Sequence, residues 1–345
     1  MRSPRNISEL RQDPVTGEWV VVATGRAKRP RYFQAPRREV PQPKRSCPFE
    51  RLIPSAHLVY DRRGRPYRVT PKDRRYLERQ WSVQVVPNKF PAFGSGECAI
   101  KRSVGPYRWQ DGVGFHEVVI SRDHDHAMAR LAPRQVASII RAYRDRYLAL
   151  KDEACVAYIS IFHNDGREAG ASITHPHSQI IATPVIPPDV GRSLRGSTEY
   201  FRKQRRCVHC VMLDFERRRR ERIVYSNRNF LVLCPFVSRQ AFETRIFPRR
   251  HQPAFEMITE SEILDFGDVL QSALARIARC LDNPAYNFFI HTAPTADGVG
   301  AAHYHWHVEI VPKTGIWAGF EIGTGIEIST TAPEAAARLL RAVRV

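Results

Sequence analysis

Two histidines one residue apart stand in the run His175-Pro176-His177-Ser178-Gln179. On a strand, residues 175, 177 and 179 project to one face, so two imidazoles and an amide are presented together. A neutral imidazole held in line with a phosphorus atom is a competent nucleophile, because ordering removes most of the entropic cost of attack. His177 is the candidate nucleophile, and Gln179 is placed to donate to a non-bridging phosphate oxygen as charge builds there. A strand histidine standing alone reads more readily as structural; the second His, the Gln and a preceding glycine-containing loop favour chemistry. That loop, residues 164–172, has Gly166 and Gly170 for close backbone approach and Asn164 and Ser172 as donors. Turns commonly have the same composition, so the loop alone decides little.

Zinc takes four ligands from Cys, His and sometimes a carboxylate, in tetrahedral geometry. Cys207-Val-His-Cys210 supplies a C-x-x-C pair, and His251 and His305 complete a set. Cys47-Pro-Phe-Glu50, with His124 and His175, supplies a second set in which Glu50 replaces a thiolate. An oxygen ligand is allowed but usually holds the ion less tightly, and a hydrogen-bonded cluster without metal is the other reading of this first set. Both sites would be structural, closed by protein ligands. If His175 is tied to metal, the freedom of His177 beside it is restricted.

These residues recur in order, so the elements that position them are written twice. Residues 115–124 and 242–251 share a leading Phe, an apolar centre, an Arg two before the end and a final His. An amphipathic helix follows each block, with Val136, Ile140, Tyr143, Tyr147 and Leu150 on one apolar face. Ile263, Phe266, Leu270, Leu274, Ile277 and Leu281 make the corresponding face. An apolar strand comes next, at 157–162 and 287–291, then a loop and a strand carrying His175-x-His177 or His305-x-His307. Four features in one order argue for two copies of an α+β module. Pro184 to Gly196, rich in proline and glycine, marks the junction.

Length and hydrophobic content fit a globular protein of two ordinary domains or one large one, and no apolar run is long enough to cross a membrane. The N-terminus lacks the apolar core of a secretory signal, which leaves the cytoplasm as the expected compartment. Cys98, Cys155, Cys234 and Cys280 read as buried, inert thiols. The net charge of +19 attracts anions, whether nucleic acid, an anionic membrane or phosphorylated substrates. The run Arg217–Arg220 reads as a solvated face.

The chain resembles the galactose-1-phosphate uridylyltransferases of the histidine-triad superfamily, near the branch with ADP-sugar phosphorylases. The likeness runs through Gly25-Arg26-Ala27-Lys28-Arg29-Pro30, Val86-Pro87-Asn88-Lys89-Phe90-Pro91 and the His175–Gln179 run. It continues through His303 to Pro312 and ends in Gly319-Phe320-Glu321-Ile322-Gly323-Thr324-Gly325. The resemblance implies α+β architecture: tandem histidine-triad-like modules, mainly antiparallel sheets with helices packed on one face. Residues 1–190 form the module with the nucleophile and residues 191–345 the other. It implies a ping-pong reaction in which His177 takes uridylyl from a UDP-sugar and passes it to a sugar 1-phosphate, with UDP-glucose and galactose 1-phosphate as the leading pair. Phosphorolysis of another NDP-sugar, such as an ADP-sugar with inorganic phosphate, is the alternative. Asn88, Asn164, Ser172 and Gln179 are then expected at the nucleotide and its phosphates, Arg26 and Arg29 near phosphate, and Glu321 near the sugar. Zn2+ and a homodimer are implied, with no membrane partner. Some family members hold a further metal with a Glu and several His; His291, His305 and His307 match here, without an evident Glu. Outside this class stand a zinc-bearing nucleic-acid-binding protein, disfavoured by the absence of an aromatic-and-basic recognition module, and an inactive nucleotide sensor.

Overall fold

The structure is a computed structural model and describes residues 8–28, 42–94, 96–98, 101–295 and 301–345. The first half runs through β1 (Glu9–Gln12), β2 (Trp19–Val22), β3 (Leu58–Asp61), β4 (Pro66–Tyr67), α1 (Pro71–Gln80), β5 (Trp81–Pro87), β6 (Arg102–Val104), β7 (Tyr107–Trp109), β8 (Phe115–Ser121), α2 (Pro133–Leu150), β9 (Tyr158–Asp165) and β10 (His177–Thr183). The second half continues with α3 (Pro188–Gln204), α4 (Val208–Arg219), β11 (Ile223–Ser226), β12 (Phe230–Leu233), β13 (Thr244–Pro248), α5 (Glu260–Cys280), β14 (Tyr286–His291), β15 (His307–Pro312), α6 (Gly319–Thr324), β16 (Glu327–Ser329) and α7 (Pro333–Ala342).

The two copies are fused edge to edge. Eleven strands form one sheet in the order β11-β12-β13-β15-β14-β9-β10-β8-β5-β3-β4. The central trio β8-β10-β9 is mirrored by β13-β15-β14, and β9 pairs with β14 from Ile161↔Ile290 to Asp165↔Tyr286. Two separate lobes would leave both strands with unpaired edges, and the antiparallel pairing satisfies those backbone groups. The fold is the α+β class read from the sequence, with one shared sheet in place of two lobes.

The apolar faces of α2 and α5 lie together on one side of this sheet. Val136, Ile140, Tyr143 and Tyr147 are buried there with Ile263, Phe266, Leu270 and Leu274, over Ile161, Ile180, Ala182, Ile290 and Ile310. Each such side chain contributes roughly 1.5–3 kcal/mol by leaving water. On β10, Ser178, Ile180 and Ala182 alternate as buried positions before the buried end residue Thr183, so His177 and Gln179 are carried on the opposite face. A reciprocal cap opens α5: Thr259 Oγ1 accepts from Glu262 N, and Glu262 Oε2 accepts from Thr259 N at 2.8 Å.

Three sequence expectations change. The segment taken as a junction is largely helix, since α3 begins at Pro188 and contains the boundary at residue 190. Proline at the first helical turn starts this helix rather than breaking it. The N-terminal hairpin β1–β2 belongs with the second half, because β16 pairs in parallel with β2 and Arg11 bonds Glu334 at 3.0 Å. Cys98 and Cys155 are not inert thiols but a disulfide with Cα atoms 5.3 Å apart, and Cys98 is exposed. Cys234 is buried and Cys280 half-buried. Among the described residues no helix is long and apolar enough to cross a membrane.

Helices α2 and α5 meet at Gly267, where a Cβ would lie 2.7 Å from Pro133 O and 2.9 Å from Ala137 N. Gly267→Ala should therefore cost about 1–3 kcal/mol by forcing the helices apart. Urea denaturation reads this directly, and an unchanged midpoint would show that the helices separate without penalty.

Candidate active site and metal centres

His177 opens β10, and its Nδ1 lies 2.9 Å from the carbonyl oxygen of His175. A carbonyl only accepts, so Nδ1 carries the proton and the lone pair is left on Nε2. Burial pushes this imidazole down to about 4; the carbonyl opposes the shift, while neighbouring His163 and His175 add to it. The ring is neutral near pH 7, and the edge of Phe49 packs on it with centroids 5.1 Å apart.

Behind the nucleophile, His175 Nε2 donates to Ser121 O at 2.6 Å and His124 Nε2 to Gln42 O at 2.8 Å. Their Nδ1 lone pairs then face each other at 3.1 Å, with Cys47 Sγ 3.5 Å from His175 Nδ1. Two lone pairs and a thiol converging in a buried space repel unless a cation lies among them. Glu50 Oε2 is 3.0 Å from His124 Nδ1, yet this buried oxygen has no hydrogen-bond partner. An oxygen left in that state suits a metal ligand.

The second set repeats the arrangement. His251 Nε2 donates to Ala302 O and His305 Nε2 to Pro248 O, each at 2.9 Å. Cys210 Sγ stands 3.5 Å from His251 Nδ1 and 3.6 Å from His305 Nδ1. Tetrahedral zinc separates sulfur and nitrogen ligands by roughly 3.5 Å. A hydrogen bond from Cys210 holds the Cys207 thiol far below the ordinary thiol range. The donor atoms of Cys207, Cys210, His251 and His305 lie within 4.8 Å of one another, as do those of Cys47, His124 and His175.

Around the nucleophile, His116 Nε2 lies 2.7 Å from Gln179 Oε1 and 3.0 Å from Asn88 Nδ2. Asn164, on β9 beside β10, accepts from Asn287 Nδ2 at 2.8 Å. Asn88 and Gln179 are thus gathered around His116, and Asn164 stands on the strand beside the one that carries His177. Among the described residues no hydrogen bond joins Arg26, Ser172 or Glu321 to this group. Arg26 is exposed on the turn Thr24–Lys28, Ser172 is exposed in the loop before β10, and the Glu321 carboxylate accepts from Ala318 N at 3.0 Å. Arg29 lies outside the described residues. Sequence reading missed His116, Asn287 and Phe49, each of which stood inside a quoted segment (115–124, 287–291 and 47–50) without a role of its own.

The second copy keeps the frame and closes the site. His307 Nδ1 approaches His305 O at 3.1 Å, as His177 does His175 O, and Glu309 replaces Gln179. Glu309 supplies the carboxylate missing from the sequence match, 3.6 Å from His291 and 3.5 Å from His307. It is also paired with Arg239 and, at 3.0 Å, with Arg245. The cavity here is about 50 Å³ and is bordered by Asp13, Thr16 and Glu18 of the N-terminal hairpin. Such a space holds a few water molecules or an ion.

A strand-borne imidazole with a free Nε2, with the Cys47, His124 and His175 cluster behind it, has the form of a nucleophile for phosphorus. Comparison with known proteins gives the class. Residues 2–187 match the model of the galactose-1-phosphate uridyl transferase N-terminal domain, and residues 112–343 match a domain family of unknown function. The chain is 34% identical to an ADP-glucose phosphorylase of Arabidopsis thaliana, over 97% of this chain and 93% of the relative. It is 29% identical to a galactose-1-phosphate uridylyltransferase of Thermotoga maritima, over 98% of this chain and 99% of that one. The crystal structure of an Arabidopsis thaliana ADP-glucose phosphorylase with bound ADP-glucose superposes with a TM-score of 0.80 at 31% identity, covering 98% of this chain and all of that one. The chain belongs to the galactose-1-phosphate uridylyltransferase family and is a nucleotidyltransferase.

If both clusters hold zinc, elemental analysis of purified protein will find about two ions per chain. Cys210→Ser should lose about one of them and melt at lower temperature. Glu50→Gln should weaken the other without removing the first. Retention of full metal content by Cys210→Ser would refute the second site.

Proposed function

We propose that the chain carries a nucleotidyl group from a nucleoside diphosphate sugar to a phosphate acceptor through a covalent nucleotidyl-His177 intermediate. The observation that carries this reading is the 2.9 Å bond from His177 Nδ1 to His175 O, which leaves the Nε2 lone pair free. Nε2 attacks the α-phosphorus, and the N–P bond forms as the bond to the bridging oxygen breaks. The sugar 1-phosphate leaves. An acceptor phosphate oxygen then attacks the same phosphorus and displaces His177. No base is required, because the attacking nitrogen has no proton to lose, and the proton kept on Nδ1 stays bonded to the carbonyl.

Gln179, Asn88 and Asn164 offer amide N–H groups to the non-bridging oxygens as charge grows on them. Loss of one such donor typically lowers rate by about 10²–10³-fold. Zinc held by Cys47, Glu50, His124 and His175, and by Cys207, Cys210, His251 and His305, would stiffen the loops that carry the nucleophile and take no part in bond making.

Similarity to an ADP-glucose phosphorylase makes ADP-glucose the first donor and inorganic phosphate the first acceptor. UDP-glucose with galactose 1-phosphate, which led the sequence reading, is the second pair and is supported by the Thermotoga relative. A homodimer in the cytoplasm completes the proposal.

Intact-mass spectrometry after mixing with ADP-glucose or UDP-glucose tests it. A mass increase of one nucleoside monophosphate is expected, absent in His177→Gly and discharged by phosphate or a sugar 1-phosphate. No adduct with any nucleoside diphosphate sugar would overturn the proposal.

A further inference from the structure

An amide presents a donor at one end and an acceptor at the other, and only the NH2 end helps an anionic phosphate. Two hydrogen-bond chains, each ending in a main-chain group of fixed polarity, set which end is presented. Ala92 N donates to His116 Nδ1 at 3.1 Å. Nδ1 must then hold a lone pair, which puts the single ring proton of His116 on Nε2. That proton is donated to Gln179 Oε1 at 2.7 Å, so the Gln179 NH2 is turned away from His116. Phe90 N donates to Asn88 Oδ1 at 2.9 Å, which turns the Asn88 NH2 toward His116 Nε2 at 3.0 Å; with the ring proton on Nε2 that contact is between two donors, so the proton goes to Gln179 alone.

The second chain starts from Ala169 O, which accepts from Asn287 Nδ2 at 2.7 Å. A carbonyl cannot donate, so this end of Asn287 is its NH2, and its other proton goes to Asn164 Oδ1 at 2.8 Å. The Asn164 NH2 is thereby left for a ligand. Asn287 lies on β14 and reaches across the β9–β14 junction at the pair Asn287↔Asn164.

We propose that His116 and Asn287 are positioning residues that lock the Gln179 and Asn164 amides with their NH2 ends toward the non-bridging oxygens of the reacting phosphate. This rests on the nucleotidyl-His177 reading. Without His116, Gln179 turns freely and spends part of its time with a carbonyl oxygen facing the anion.

The test is the single-turnover rate of nucleotidyl-His177 formation from ADP-glucose or UDP-glucose, whichever labels the wild type, beside nucleotide affinity. His116→Ala is expected to slow labelling roughly 10- to 100-fold with affinity changed less than about threefold. His116→Gln, whose amide nitrogen reaches the position of Nε2, should recover most of the rate. In a Gln179→Ala background, His116→Ala should add less than about twofold, because both changes remove one function. Asn287→Ala should slow labelling in the same way through Asn164. Equal rates for wild type and His116→Ala, full additivity with Gln179→Ala, or a folded His116→Gln as slow as His116→Ala would overturn the proposal. A wild type that takes no label from any nucleoside diphosphate sugar would instead sink the underlying transferase reading, and this proposal with it.

Discussion

The site depends on one kind of contact: an imidazole nitrogen bonded to a main-chain carbonyl. His124, His175, His251 and His305 each tie Nε2 to a carbonyl and turn Nδ1 inward. His177 and His307 do the reverse, tying Nδ1 to the carbonyl two residues earlier and freeing Nε2. A histidine has two nitrogens and, when neutral, one proton; fixing where the proton goes decides which nitrogen acts as ligand or nucleophile. Because every anchor is a backbone group, the protonation pattern is set by the fold itself. Sheet register and the H-x-H spacing together give His175 a free Nδ1 and His177 a free Nε2, the arrangement the proposed ligand and nucleophile require.

The same frame, written twice, has diverged by charge and access. In the first copy Gln179 is uncharged and partly open, and its neighbours are amides and an imidazole. In the second, Glu309 is buried with Arg239 and Arg245, a cluster that stays folded because each charge is compensated. Removing one of these partners would leave a buried charge, so the closed site resists reversion to an open one. The second copy is not idle, however. Through the β9–β14 pairing it lends Asn287 to the first, and it carries a complete four-residue metal cluster of its own.

How legible this was follows from distance along the chain. The helix faces from Val136 to Leu150 and Ile263 to Ile277, the Cys47–Glu50 and Cys207–Cys210 pairs and the tandem order rest on local spacing, and all are found; of each H-x-H run only the second His lies on a strand, since β10 begins at His177 and β15 at His307. His116 was visible only as a member of a repeated block, since its partner Gln179 lies 63 residues away. Asn287 and Asn164 are separated by 123 residues and meet only because two sheet edges fuse. Glu309 was quoted as part of a strand, yet its neighbours His291, Arg239 and Arg245 come from other elements. The Cys98–Cys155 bridge, 57 residues apart, had no local signal either. Junction composition misled, because prolines at 187 and 188 begin a helix as readily as they break a chain.

A neutral imidazole at the proposed site of a strongly basic protein divides the electrostatic labour. The net charge of +19 acts at long range, drawing phosphorylated molecules toward the surface and weakening as salt rises. Exposed arginines such as those at 217–219 on α4 contribute to that field while part of their charge is met by Asp214 and Glu221. In the proposed reaction the groups at the phosphorus are imidazole and amides, which recognise non-bridging oxygens without an ion pair that must later be broken. The proposed cycle turns on that property, because a phosphorylated product must depart before a phosphorylated acceptor enters the same place.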